Sequence, residues 1–327
     1  MLAAHRPTVV FTDESIRPEV AELMRSSCDV RILQAYPSEL VLADACQNAE
    51  AILARLGVVT ARVIAGASRL RIIARHGAGS DGVDMAAATK RGIVVTTTGP
   101  ANAGAVTEYT FALLLALLRR VTQADGGMRA GLWSRDPLVG EALEGKTLGI
   151  VGFGAVGGRV ARIATGFGMQ VIAAVGRGPD VTVKPVPVLP LMEMLAASDV
   201  VSLHARLMPK THGMIDARAI AAMRPGAVLV NTARGELVDE VALIVALRTG
   251  HLAGAALDTY AVEPLAADSP LRGLANVVLS PHVVGQTKGA VLQVGFAAAQ
   301  AILDELAGRR PHFVVNPAAY AARSRHV

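Results

Sequence analysis

Short apolar runs of three to five residues recur along this chain, and the stretches between them carry the apolar spacing of amphipathic helices. Residues 8–11, 30–33, 51–54, 70–74 and 93–96 read as strands, and 17–26 and 60–67 as helices between them. This alternation is the pattern of βαβ units and a parallel sheet. A long apolar helix is predicted at 102–120, after the Thr98-Gly99-Pro100 break. Residues 124–143 are rich in Gly and polar side chains. A second series then begins, with strands at 147–151, 170–174, 200–204, 227–231, 254–257 and 277–280. Six strands with intervening helices match a full dinucleotide-binding domain. The last helical stretch, 287–307, cannot extend that sheet and predicts a return to the first domain. The expected organisation is α/β, with a domain of residues 101–287 inserted into a discontinuous one of residues 1–100 and 288–327.

Composition narrows the function classes. Of 327 residues, 52% are hydrophobic and 18% charged, which fits a folded globular chain rather than a disordered one. Aromatics make up only 3%, so the cores must be built from Ala, Val, Leu and Ile. The longest apolar run, 111–118, is too short for a membrane span, and the N-terminus lacks the apolar stretch of a secretion signal. A cytoplasmic chain without membrane partners is expected. The chain runs only ten residues past Asn316-Pro317, which predicts no appended regulatory module. The net charge is +5, yet no basic run exceeds two residues, so nucleic acid is not an expected partner. A mildly positive field would instead attract anionic substrates. Cys28 and Cys46 form no CxxC, and no His is spaced as a metal partner. Reduced buried thiols and no metal site are expected.

The strongest chemical signal is Gly152-Phe153-Gly154-Ala155-Val156-Gly157, a GxGxxG. Alone the pattern is weak, since Gly-rich turns are common. Here it follows a strand and opens a helix, the context that dinucleotide binding requires. Gly152 would allow the tight turn and Gly154 the approach of a pyrophosphate. Gly157 would let the helix pack on the strand. The next strand ends in Val175-Gly176-Arg177, where an NAD enzyme places an acid for the ribose hydroxyls. Losing that acid, with Arg177 beside the ribose, favours NADP over NAD. Arg177 as a solvated loop residue is the plainer alternative.

Three further groups fall just beyond strand ends: Arg234, Glu263 and His282. Open α/β sheets place their ligands there. A His can deliver a proton to a carbonyl oxygen as negative charge builds on it, a neighbouring carboxylate can hold it, and an Arg fork can grip a carboxylate. Behind a dinucleotide loop, these groups suit hydride transfer to a 2-keto acid. Singly, a strand-end ion pair and a capping His would explain them as well.

With these segments in view, the chain resembles the D-isomer-specific 2-hydroxyacid dehydrogenase family over nearly its whole length. The likeness runs through RHGAGSDGVD (75–84), GKTLGIVGFGAVG (145–157), MRPGAVLVNTARGELVDE (223–240), GAALDTYAVEP (254–264) and LSPHVVGQT (279–287). It implies a Rossmann-type doubly wound parallel sheet inserted into a smaller flavodoxin-like α/β domain, with the active site in the cleft and dimerisation through the cofactor domain. It implies that Arg234 orients substrate, that His282 donates and accepts the proton, and that Glu263 partners His282. Gly152, Gly154, Ala155, Val156, Gly157, Arg177, Thr232, Ala233, Asp258 and Gly285 fall on cofactor contacts. Ala78, Gly79, Arg55 and Arg234 fall on substrate contacts.

The implied reaction moves a hydride between NAD(P)H and a small 2-keto or 2-hydroxy acid. Gly176-Arg177 favours a glyoxylate/hydroxypyruvate reductase-like enzyme. A 3-phosphoglycerate dehydrogenase-like enzyme is the alternative, and a dinucleotide-sensing corepressor is a reading from another class. Formate oxidation is disfavoured, because that branch carries Gln where Glu263 stands. Arg206 and Gly82 depart from the family's usual Pro and Asn.

Overall fold

The computed structural model describes residues 5–176 and 185–323 and divides into two compact units. Unit 1 holds Met1–Asn102 and Gln286–Val327, and unit 2 holds Ala103–Gly285.

Unit 1 is a five-stranded parallel sheet of β1 (Thr8–Phe11), β2 (Asp29–Ile32), β3 (Ala51–Ala54), β4 (Ile72–Arg75) and β5 (Val94–Thr96). Its order, β2-β1-β3-β4-β5, is that of a flavodoxin-like sheet. Both faces are covered, which is why β3 and most of β4 are apolar at consecutive positions. Val10, Ile52 and Ile73 face one core with the helices Glu39–Cys46 and Ala61–Gly66. Phe11, Leu53 and Ile72 face the other, against Pro18–Arg25 and the long C-terminal helix Lys288–Leu306. Cys28 and Cys46 are buried free thiols within these cores.

Unit 2 is a six-stranded parallel sheet of β6 (Thr147–Val151), β7 (Gln170–Ala174), β8 (Val200–Leu203), β9 (Ala227–Asn231), β10 (Leu252–Leu257) and β11 (Val277–Leu279). The order is β11-β10-β9-β8-β6-β7. Outside β7, Val188 makes a single parallel bridge to Ala173, so the next strand position of a doubly wound sheet is shrunk to one residue. The strand order reverses between β6 and β8, and open sheets of this type bind their ligand in that crevice. β9 is buried at all five positions.

One stretch differs from its sequence reading. Within the Gly-rich region, Val121–Arg129 is helical and buries none of its side chains. Gly126 and Gly127 each weaken a helix by about 1 kcal/mol relative to Ala. The Asp125–Arg129 ion pair one turn apart, at 2.8 Å, offsets part of that.

Candidate active site

Unit 2 builds its chemistry on the loops that leave β6, β9, β10 and β11 at one edge. The first is the glycine loop. Gly152 has φ +90°, and a Cβ there would stand 2.7 Å from the Ala205 amide nitrogen. Gly157 is buried, and a Cβ would meet the Gly152 carbonyl oxygen at 2.3 Å. Gly154 differs from both, being exposed with nothing among the described residues within 4 Å of its Cβ position. One glycine therefore shapes the turn, one packs the helix down, and one keeps space open before the helix.

That helix, Ala155–Gly166, has Gly154 as its N-cap and no side-chain cap. The neighbouring helices from Ala217 and Glu240 are capped by Asp216 and Asp239. Three turns of aligned dipoles thus end at a bare N-terminus facing open space, the arrangement that receives a phosphate. A pyrophosphate fits this cradle; Gly152, Gly154, Ala155, Val156 and Gly157 would hold it. At the end of β7, Val175 is partly exposed and Gly176 exposed. Arg177 lies outside the described residues.

The turn after β9 is tied by Asn231, whose Oδ1 accepts from the Ala233 amide (3.0 Å) and whose Nδ2 donates to the Arg234 carbonyl (2.8 Å). Arg234 emerges partly buried, and one guanidinium nitrogen donates to the Ala233 carbonyl at 2.6 Å. Thr232 turns inward, its hydroxyl 3.1 Å from that of Thr110. Gly235 allows a tight approach, since a Cβ there would fall 1.9 Å from the Tyr260 carbonyl carbon. The Arg234 turn therefore presses directly on the segment that carries Glu263.

Glu263 faces His282. His282 Nδ1 lies 2.7 Å from Glu263 Oε2, while Oε1 accepts from the Tyr260 amide at 3.1 Å. Burial pushes the Glu263 carboxyl up, but the hydrogen bond and charge of His282, the Tyr260 amide and Arg234 together hold it below its ordinary value. His282 sits at φ +54°, a left-handed conformation rare outside glycine and asparagine. Its side chain remains 43% exposed, so the ring is held by Glu263 yet open to a reactant. Gly285 closes the loop, partly exposed. Asp258, which the resemblance places at the cofactor, is fully buried and bonds to the His282 loop.

Unit 1 has its own polar edge. Ala54 pairs with Arg75 across β3 and β4, so Arg55 and His76 leave the sheet side by side. Arg55 donates to Asp13 at 3.0 Å, and Asp13 is fully buried. The Gly77–Gly79 turn follows, with Gly77 at φ +147° and Ala78 exposed. Arg75 Nε donates to the Gly79 carbonyl at 3.2 Å. Its guanidinium also lies 3.2 Å from a Cβ position on Gly82, a spacing that a small shift of the Arg75 tip would relieve. Among the described residues, no group of three or more His, Cys, Asp or Glu could hold a metal ion. None of their helices is long and apolar enough to cross a membrane.

A dinucleotide loop sharing a sheet edge with an Arg, a carboxylate and a His marks a dehydrogenase-type domain. The family model described as "D-isomer specific 2-hydroxyacid dehydrogenase, NAD binding domain" matches residues 111–284. The D-3-phosphoglycerate dehydrogenase of Mycobacterium leprae is 39% identical over 308 residues, covering 92% of this chain and 57% of that protein. The glyoxylate reductase of Aeropyrum pernix is 37% identical over 324 residues, covering 95% and 96%. An NADPH-dependent glyoxylate/hydroxypyruvate reductase from Sinorhizobium meliloti, solved with NADP and malonate, superimposes with a TM-score of 0.88 at 29% identity, covering 96% and 98%. The chain belongs to the D-isomer specific 2-hydroxyacid dehydrogenase family, whose members are NAD(P)-dependent oxidoreductases. It spans little more than half the length of the phosphoglycerate dehydrogenases it matches.

Proposed function

We propose that this protein reduces a small 2-keto acid to the D-2-hydroxy acid, and runs the reverse reaction when products accumulate. The observation that carries the reading is the 2.7 Å His282–Glu263 pair on the sheet edge that also bears Arg234 and the bare helix N-terminus. The reduced nicotinamide supplies the hydride to C2. His282 gives its proton to the carbonyl oxygen as that oxygen gains charge, and Glu263 keeps the ring oriented. Arg234 grips the substrate's carboxylate and polarises its carbonyl. In this reading unit 1 offers its own carboxylate donors in Arg55 and the Ala78 and Gly79 amides. Thr232, Ala233 and Gly285 line the cofactor through the backbone of their turns.

The favoured substrates are glyoxylate and hydroxypyruvate, supported by the near full-length likeness to a glyoxylate reductase. The phosphorylated 3-carbon acid is the second reading, supported by the 39% identity to a phosphoglycerate dehydrogenase. Nicotinamide absorbance with glyoxylate, hydroxypyruvate and phosphohydroxypyruvate tests both. Turnover of the first two at higher kcat/KM supports the favoured reading. Cofactor binding without turnover of any 2-keto acid would point instead to a dinucleotide-sensing binding protein.

A second copy of this chain is the proposed partner. Val121, Met128, Leu132, Trp133 and Val139 are all at least 53% exposed within one short segment of unit 2. Val121 and Met128 lie on the helix Val121–Arg129, which buries nothing of its own, and the other three follow it in the chain; so much exposed apolar surface in one segment is a surface awaiting cover. Analytical ultracentrifugation should show a dimer, and Trp133→Glu should shift it towards monomer. A monomeric parent would refute the assignment.

A further inference from the structure

We propose that Asp258 and Tyr260 form a latch that fixes the backbone of His282, and that both act as positioning residues for its proton transfer. The proposal rests on the role given to His282 above.

The hydrogen bonds converge on one short segment. The Asp258 carboxylate is fully buried and takes three donors. Oδ1 accepts the Ser280 hydroxyl at 2.5 Å and the Val283 amide at 2.9 Å, and Oδ2 accepts the Val284 amide at 2.9 Å. The Asp258 carbonyl accepts the amide of His282 itself at 2.9 Å. One residue thus grips the loop on both sides of His282 and at it. Tyr260 adds the second point. Its buried hydroxyl is shared between the carbonyls of Leu257 (3.2 Å) and Ser280 (2.9 Å), while its amide holds Glu263 Oε1. The phenol therefore fixes where the His282 loop begins, and the same residue's amide fixes the carboxylate that His282 must meet.

Left-handed backbone at a non-glycine residue is strained and persists only where surrounding bonds enforce it. His282 is such a residue. Without the latch the loop would relax, and the imidazole would leave Glu263. Burying a carboxylate is itself costly unless its oxygens are bonded. Here they are bonded to loop amides and a hydroxyl. The structure therefore gives Asp258 a task on its own chain, beyond the cofactor contact that the family resemblance implies.

The test uses Asp258→Asn, Tyr260→Phe and Ser280→Ala in the full chain. The readouts are amide exchange at Val283 and Val284, the His282 Nδ1 resonance, NADPH affinity by fluorescence, and kcat, KM and their pH profile. In Asp258→Asn one carboxylate oxygen becomes an NH2 group that cannot accept, so exchange at whichever of the two amides faces it should speed about 10-fold or more. The Nδ1 resonance should lose the signature of its bond to Glu263. Turnover should fall about 10- to 100-fold with a displaced pH profile, as expected when a general acid is misplaced. NADPH affinity should move far less than kcat. Tyr260→Phe and Ser280→Ala keep the buried carboxylate and should show the same changes in smaller measure, which covers the case of an unfolded Asp258→Asn. Faster exchange with parental kcat, pH profile and Nδ1 resonance would reduce the latch to plain structure and overturn the proposal. So would a loss confined to NADPH affinity. If the parent turns over no 2-keto acid, the functional reading fails, while exchange and the Nδ1 resonance still decide whether the latch sets His282.

Discussion

His282 Nδ1 lies 2.7 Å from Glu263 Oε2, although the two side chains come from loops that follow different strands. β10 and β11 are neighbours in register, Leu257 beside Leu279, so their loops start at the same level. Asp258 and Tyr260 then bind one loop to the other. The pair is a product of sheet registry rather than of local sequence, and the open Nε2 side of the ring is where a substrate oxygen can be protonated.

His282→Ala should therefore lower kcat by about 10²–10⁴-fold, the usual range for a lost general acid. NADPH affinity should remain, because the glycine loop is built without His282. Arg234→Ala should lower kcat and raise KM together, since it acts on substrate. Steady-state kinetics beside direct NADPH titration checks both. A His282→Ala enzyme with parental kcat at neutral pH would remove the proton-transfer role.

Gly235 yields a prediction about packing that touches the same site. A methyl there meets backbone at 1.9 Å, and backbone cannot swing aside as a side-chain tip can. Gly235→Ala should cost about 1–3 kcal/mol of unit 2 stability, the usual range for overpacking. It should also depress kcat, because the Arg234 turn and the Glu263 segment are forced apart. Denaturant unfolding and kinetics on one preparation test this. Unchanged stability and kcat would mean that the two segments are not in firm contact.

Much of this arrangement was legible in the sequence, for identifiable reasons. The strands showed because parallel sheets buried on both faces need apolar runs, and TLGIV and AVLVN are such runs. Gly152, Gly154 and Gly157 showed because their spacing carries the turn, the approach and the packing in fixed order. Arg234, Glu263 and His282 showed because charged groups beyond apolar strands have few structural reasons to be there. The grip of Asp258 on Val283 and Val284 did not show. It runs to backbone amides, which every residue has, and so leaves no mark in side-chain pattern. The helix Val121–Arg129 was also hidden, since Gly126 and Gly127 are poor helix formers in the middle of a short segment.

Acid should weaken both units through two histidines. Burial, and for His76 also the Arg55 charge, pushes His76 in unit 1 and His204 in unit 2 down to about 4, from 6.5. A lowered histidine contributes stability that is fully present above 6.5 and is lost as pH falls towards the folded value, because the unfolded chain takes the proton first. Between pH 7 and pH 5 each should cost about 2 kcal/mol, with the remainder lost as pH falls through 4. Melting curves over that range should fall for both units. His204→Gln, which takes up no proton there, should flatten the dependence of unit 2 alone. A melting temperature independent of pH between 7 and 5 would refute the assignment.

Cofactor choice turns on the end of β7. In an NAD-selective enzyme a carboxylate at this point binds both ribose hydroxyls and repels a 2′-phosphate. Val175 occupies the place, partly exposed, and can do neither. Gly176 beside it is exposed and has nothing among the described residues within 4 Å of its Cβ position. Arg177, one residue on, carries a fork suited to that phosphate. Loss of the acid alone removes discrimination against NADPH, and a contribution from Arg177 would turn tolerance into preference. The expected outcome is a kcat/KM ratio that favours NADPH over NADH and falls by about 10-fold or more in Arg177→Ala, the loss of one charge-assisted bond of roughly 1.5–3 kcal/mol. Val175→Asp should move the ratio towards NADH by restoring both the ribose bonds and the repulsion. A parent that strongly prefers NADH would overturn the reading. A preference for NADPH that survives Arg177→Ala would leave the missing acid as its cause and clear Arg177 of the role.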